Sequence, residues 1–345
     1  MFLKGMDLSF VDEVEAAGGA CFDGGVRKDP IALMADLGMN AVRLRIWNDP
    51  PGGFCNPERT LAMAKRVKAR GLHLLLDFHY SDRWADPANQ WKPRAWEGLD
   101  GEGLREAVRR YTGDVLSALA SQGAAPDMVQ IGNEVTSGML WPEGRVDGEH
   151  DTEEQWRTFA GLLRAGVTAA RSVCPRARIM VHIDRGGDWA STRKFFGRME
   201  ELGVDYDVIG LSFYPWWHGT LDDLRRNLAL TAETFGKPIV VVEIAYPWTL
   251  RRYGEPGLIV EREDQLLPGY PATVPGQSAY LRDLIRAVRG TPGGLGAGFF
   301  WWEPAWIPAK PVWSVGHPNN WANLTLFDYD GHRLSTWDVL REEER

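Results

Sequence analysis

Residues 104–134 read LREAVRRYTGDVLSALASQGAAPDMVQIGNE. Leu104, Val108, Tyr111, Val115 and Leu119 recur at steps of four and three, which puts one apolar stripe down a helix over residues 104–120. After the SQGAAP break, residues 128–132 form a short apolar run with the length of a buried strand, and Asn133-Glu134 follows at once. A helix that delivers the chain to a strand with a polar end is half of a repeating β/α unit.

The same unit recurs in both directions. Strands are predicted over residues 3–8, 41–47, 72–78, 128–132, 178–183, 208–213, 239–243 and 297–302, with helical patterns at 57–70, 153–173, 221–235 and 277–289. Each parallel step needs a crossover helix, so eight such units predict an α/β fold, a (β/α)8 TIM barrel. A doubly wound open sheet shares the alternation and is the structural rival. No linker, low-complexity tract or short repeat divides the chain, so residues 1–345 are read as one domain.

Barrels of this kind place their active site at the C-terminal ends of the strands. Polar and aromatic residues recur at those positions. Arg43 and Arg45 lie near the second end, Asp77-Phe78-His79-Tyr80 at the third and Asn133-Glu134 at the fourth. His182 with Asp184 marks the fifth end, Tyr214 the sixth, Glu243 the seventh and Trp302-Glu303 the eighth. Packing alone does not explain seven such ends in register.

Composition narrows what that rim could meet. A net charge of −8 argues against nucleic acid or an anionic membrane as partner, while a neutral polymer is indifferent to it. No stretch is long and apolar enough to span a bilayer. Cys21, Cys55 and Cys174 form no CxxC pair and read as small apolar residues, one disulfide being the lesser alternative. The 16 tryptophans are unusual. Many fall in Gly/Pro/Asp-rich loops, among them Trp84, Trp91, Trp96, Trp141, Trp216, Trp217, Trp306, Trp313 and Trp321. Indoles on loops suit the flat C–H faces and hydroxyl rim of sugar rings.

Glycosidic bonds are cut by two carboxyl groups flanking the anomeric carbon. DMVQIGNE and PIVVVEIAYP supply two on different strands, Glu134 and Glu243. Glu134, partly desolvated by nearby indoles, suits the acid/base; Asn133 beside it could hydrogen-bond a sugar 2-hydroxyl. Glu243 would have to stay ionised, with Arg43 and Tyr214 as candidate partners. The competing reading makes both glutamates structural acids paired to Arg43 and Arg45. Asp77 reads as a supporting acid and Glu303 as a lesser candidate for sugar contact. His79 and His182 are expected to hydrogen-bond substrate hydroxyls or the catalytic acids. No HExxH, phosphate loop, nucleophile elbow, dinucleotide fingerprint or EF-hand loop is present, so neither metal nor cofactor is expected.

These motifs resemble glycoside hydrolase family 53, the arabinogalactan endo-β-1,4-galactanases. GMDLS, VRLRIWNDP, DFHYSDRWADP, QIGNE, MVHID, GLSFYPWWHGTL, VVVEIAYP, YPATVPGQ and FFWWEPAWIP carry the resemblance from residue 5 to 308, and LFDYDGHRLS continues it. It implies retaining endo-hydrolysis of β-1,4-galactan, such as the side chains of type I arabinogalactan in pectin. Under it Glu134 is the acid/base, Glu243 the nucleophile and Arg43 the arginine of the VRLR segment. Trp84, Trp189 and Trp302 form the aromatic rim. Ile244 departs from the family's usual threonine. The stretch TLRRYGEPGLIVERED lacks the acidic run with which bacterial members often bind calcium, so none is expected there. A related mannanase or β-glucanase, or a non-catalytic carbohydrate-binding barrel, remains the alternative, and a monomer is the expected state. The opening MFLKGMDLSF has no export signal, although the resemblance favours an extracellular location.

Overall fold

The computed structural model describes residues 1–254, 257–308 and 319–342. Eight strands run parallel: β1 (Leu3–Asp7), β2 (Ala41–Ile46), β3 (His73–Phe78), β4 (Met128–Ile131), β5 (Arg178–Ile183), β6 (Val208–Phe213), β7 (Ile239–Ile244) and β8 (Gly296–Trp301). Each pairs with the next, and β8 pairs with β1, which closes a TIM barrel. The predicted strand boundaries lie within one residue of these, and the doubly wound rival is excluded by the closure.

Side-chain alternation sorts the strands into two faces. Outward residues such as Val42, Leu44, Leu74, Leu76, Ile179 and Val181 join the large core shared with the helices. Inward residues stack in layers. The lower interior is apolar, filled by Leu3, Ala41, Leu75, Met128, Met180, Val208, Val240 and Phe300. Gly5 has to lack a side chain there, since a Cβ would stand 2.2 Å from the Phe300 ring. Above this plug, Asp7, Arg43, Asp77, Gln130, His182 and Ser212 make a polar layer with exposures of 1% or less.

One strand breaks the alternation. On β7, Val240 and Val242 face the apolar interior while Val241 faces the helices. On both neighbouring strands the register shifts: Ser212 of β6 aligns with Glu243 and Trp301 of β8 with Ile244, although Val241 aligns with Leu211 and Phe299. The extra residue is a β-bulge, and it turns Glu243 inward where strict alternation would point it at the helices.

Several of the helices begin on side-chain caps that replace missing backbone partners. Asn56 accepts from Arg59 N before Pro57–Ala69, and Thr220 with Asp223 forms a reciprocal capping box before Leu221–Phe235. Each such cap stabilises its helix by about 1 kcal/mol. The hairpin Cys21–Asp23/Val26–Lys28 and the helices Val11–Ala16, Pro30–Asp36, Trp189–Glu201, Pro215–His218 and Asp338–Glu342 had no clear sequence signal. All three cysteines are buried and unpaired, so the disulfide alternative falls. No helix among the described residues is long and apolar enough to cross a membrane.

Candidate active site

A cleft of about 720 Å³ opens over the C-terminal ends of the strands. Glu134 and Glu243 both line it, with His79, Trp84, Asn133, Asp184, Tyr214 and Trp302. A larger concavity of about 960 Å³ lies at the opposite end of the barrel, but Asp127 is its only carboxylate. Paired-acid chemistry therefore belongs to the upper cleft.

Glu134 leaves β4 through a sharp turn. Gly132 has φ +80°, and Glu134 itself sits in the left-handed region at φ 46°, ψ 48°. That conformation disfavours a side chain and costs of order 1 kcal/mol or more. The carboxyl Oε1 accepts from Ser212 Oγ at 2.6 Å, and no ion pair reaches it among the described residues. Burial, then the negative charges of Glu243 and Asp184, push its pKa well above the ordinary carboxylate range.

Glu243 meets a different set of partners. Arg43 Nη1 donates to its Oε1 at 2.8 Å and the Tyr214 hydroxyl to its Oε2 at 2.9 Å. Burial raises this carboxyl too, while Arg43 and Tyr214 oppose the rise. Of the two acids, Glu134 is thus the better placed to hold a proton and Glu243 the better placed to be ionised.

Arg43 uses all five of its N–H donors. Besides Glu243, they reach Asp7 at 2.9 Å, Asp77 at 2.8 Å, Asn133 Oδ1 at 2.6 Å and Gln130 Oε1 at 3.2 Å. It is 1% exposed and works from beneath the cleft floor, not on its surface. Asn133 is only half committed as a donor, with Nδ2 donating to Ala85 O at 2.8 Å. One amide N–H remains for a substrate hydroxyl. Arg45 takes another route, to Glu303 at 2.6 Å, which seats Glu303 in the protein and away from the cleft lining. The pairing of both glutamates with the two arginines is therefore half right, since only Arg43–Glu243 forms.

Several sequence-derived site residues meet partners other than a substrate, and one lies outside the cleft. Both ring nitrogens of His79 are taken, Nδ1 by the Trp47 indole at 3.0 Å and Nε2 by Asp77 at 3.0 Å, so neither is left for a sugar hydroxyl. Fully buried below the cleft, His182 bonds Ser212, Gln130 and Asn133 and accepts from the backbone N–H of Glu134, so of its two expected partners it meets an acid residue and not a substrate hydroxyl. Trp189 begins the helix Trp189–Glu201 and packs on Phe235, outside the cleft lining. Asp184 does line the cleft, accepting from Thr136 and paired with Arg185 at 3.0 Å.

The aromatic wall is broader than expected. Trp84 and Trp302 stand 5.8 Å apart, Trp302 meets Trp321 at 4.6 Å and Trp306 at 5.6 Å, and Trp217 is 57% exposed at the rim. In the sequence Trp217, Trp306 and Trp321 stand only as loop indoles. Ser212 carries no signal there beyond lying two residues before Tyr214 on the same inward face. Trp313, and Glu255 and Pro256 of the loop for which no calcium is expected, lie outside the described residues.

One grouping among the described residues is compact enough to ask whether it holds a metal ion: Glu134, His182 and Glu243 each bring an atom within 4.8 Å of the others. The donor set does not fit. His182 has both nitrogens engaged, and both Glu243 oxygens are occupied, one of them by a guanidinium whose charge would repel a cation.

The comparisons with known proteins agree with the barrel. Residues 3–340 match the model of glycosyl hydrolase family 53. An uncharacterized Niallia circulans protein, encoded in the bgaB 5′ region, is 62% identical over 342 residues, covering 99% of this chain and 93% of that one. The arabinogalactan endo-β-1,4-galactanase of Cellvibrio japonicus is 36% identical, covering 95% of this chain and 86% of its own. Among solved structures, the Ignisphaera aggregans family 53 catalytic domain superposes with a TM-score of 0.92 at 38% identity, covering 99% of this chain and 95% of that domain. On a match that runs from the first barrel strand to the last helix, this chain belongs to glycosyl hydrolase family 53.

Proposed function

We propose that this glycoside hydrolase is a retaining endo-β-1,4-galactanase, with Glu134 as acid/base and Glu243 as nucleophile. One observation carries the mechanism: the two acids bring carboxylate oxygens within 4.8 Å of each other across the cleft, with opposite partner sets. Retaining glycosidases hold the pair at about 5–5.5 Å, whereas inverting enzymes need room for a water between them.

The reaction divides into two displacements. Glu134 gives its proton to the glycosidic oxygen as a Glu243 oxygen attacks the anomeric carbon, leaving a galactosyl ester on Glu243 and a free leaving-group hydroxyl. Glu134, now a carboxylate, takes a proton from water as the water attacks the same carbon. Glu243 is released and Glu134 is again protonated. Arg43 and Tyr214 stabilise Glu243 as it regains its charge. The open cleft with aromatic walls suits internal cleavage of a chain, and the galactanase names of relatives at 34–36% identity supply the substrate.

The test is reducing-end release from purified β-1,4-galactan beside β-mannan and β-glucan, for wild type and Glu243→Ala. Galactan cleavage lost by at least about 10⁴-fold in the variant is expected. Cleavage of another glycan in place of galactan overturns the substrate, and cleavage by Glu243→Ala overturns the nucleophile.

A further inference from the structure

Ser212 of β6 is buried, and its hydroxyl bridges two groups of the upper barrel. It lies 2.8 Å from His182 Nε2 and donates to Glu134 Oε1 at 2.6 Å. Which way this chain of hydrogen bonds runs depends on the proton of the His182 ring. Its Nδ1 faces two N–H donors, Gln130 Nε2 at 3.1 Å and Glu134 N at 3.4 Å, and one acceptor, Asn133 Oδ1 at 3.0 Å. That acceptor already receives Arg43 Nη2 at 2.6 Å. The Gln130 amide is held the right way round because its Oε1 accepts from Arg43 Nε. Two donors against one occupied acceptor leave Nδ1 bare and put the ring proton on Nε2. Nε2–H then donates to Ser212 Oγ, and the Ser212 hydroxyl hydrogen has only Glu134 to serve.

Resting on the acid/base role given to Glu134 above, we propose that Ser212, oriented by His182, is the positioning residue of the acid/base. It occupies Oε1, which leaves Oε2 as the oxygen that carries and transfers the proton, and it stabilises the carboxylate formed once that proton has gone. Other groups act on Glu134 from every side: Glu243 on β7, Asp184 with its partner Arg185 after β5, Asp86 from the loop after β3, and Tyr214 at the end of β6. Arg43, His79 and His218 lie farther off, around His182. The acids disfavour a charge on Glu134. The Ser212 hydrogen bond opposes them, because it favours the charged form.

Ser212→Ala removes that opposition. The alkaline limb of kcat/KM on β-1,4-galactan is expected to move up by about one pH unit, with kcat about tenfold lower and KM little changed. Ser212→Thr, which keeps the hydroxyl, should restore the limb. Independently of substrate, the ¹³C resonance of the Glu134 carboxyl should titrate at higher pH in Ser212→Ala than in wild type, and ¹⁵N shifts of His182 should show the proton on Nε2. An unmoved limb and an unmoved carboxyl titration overturn the proposal, as does a proton on Nδ1. Should wild type fail on galactan, the proposed substrate falls, while the carboxyl titration still decides the role of Ser212.

Discussion

Arg43 and Arg45 stand two residues apart on one face of β2, about 6.6 Å along the strand, and they do different things. Arg43 meets three carboxylates and two amides and leaves no donor over. Arg45 has one close carboxylate, Glu303, and its Nε and Nη2 find no acceptor among the described residues. Its guanidinium is instead packed by aromatic faces, with ring centroids at 4.0 Å for Phe10, 4.5 Å for Trp84 and 5.1 Å for Trp47. The two share only Asp7, 2.9 Å from one and 3.9 Å from the other. Position along the strand decides which role the same side chain takes. Lower down, the cation compensates acids beneath the reacting centre; higher up, it stiffens the indole wall that lines the cleft.

The contrast can be broken at Arg43 first. Arg43→Met leaves Asp7, Asp77 and Glu243 buried without their cation, and should cost about 3–5 kcal/mol of stability. Activity should fall by roughly 10³-fold or more, since the proposed nucleophile loses its compensating charge. Denaturant unfolding and galactan assays check both. A variant with near-normal rates would mean that Arg43 is a structural residue like its neighbour.

Glu134 marks the limit of the Arg43 network, because Arg43 reaches Asn133 but not the acid next to it. Glu134→Gln should lose about 10²–10⁴-fold on galactan yet regain much of that on galactosides with activated leaving groups, which need little protonation. Equal losses on both substrates argue against the acid role.

Arg45→Lys probes the other side. A lysine keeps the charge but gives up the flat face stacked between Phe10 and Trp84, so about 1–2 kcal/mol of stability should go. Activity should change by less than about tenfold, mainly through KM, because the cleft wall loosens while the reacting groups stay in place. A kcat loss matching that of Arg43→Met would erase the distinction between the two arginines.

The smallest effect concerns stability. Glu134 is a buried acid with a raised pKa, so ionising it opposes folding. That penalty is absent below the unfolded-state value near 4.3 and grows as pH rises toward the folded-state value. Glu134→Gln should therefore be more stable than wild type by on the order of 1 kcal/mol at neutral pH. The gain should shrink toward pH 4, as thermal unfolding across that range would show.

Much of this was legible in the sequence because it is local. Apolar runs fix strands to within a residue, and the strand ends carry the acids, Arg43 and Tyr214 in plain view. What escaped was set by register and height. Nothing in VVVE shows that β7 carries an extra residue, and nothing in GLSFY says that Ser212 lies opposite Glu243. His79 and His182 looked free for substrate because Trp47, Gln130 and Ser212 arrive from other strands or loops, and because Asp77 reaches forward along the same strand to His79. Trp189, placed in the aromatic rim by the family resemblance, starts a helix that turns it toward Phe235.

The extra residue in β7 also bears on how such a protein can change over generations. Removing one codon from the run Val240-Val241-Val242 would take out the extra residue and leave the glutamate facing inward opposite Ser212, but removing a second would keep an apolar strand and an intact glutamate yet return that glutamate to the helix side. Both acids would still be present in the gene while the cleft kept only one. A lineage could lose its chemistry here without a single substitution at a functional residue, and a comparison of residue identities alone would count the descendant as active.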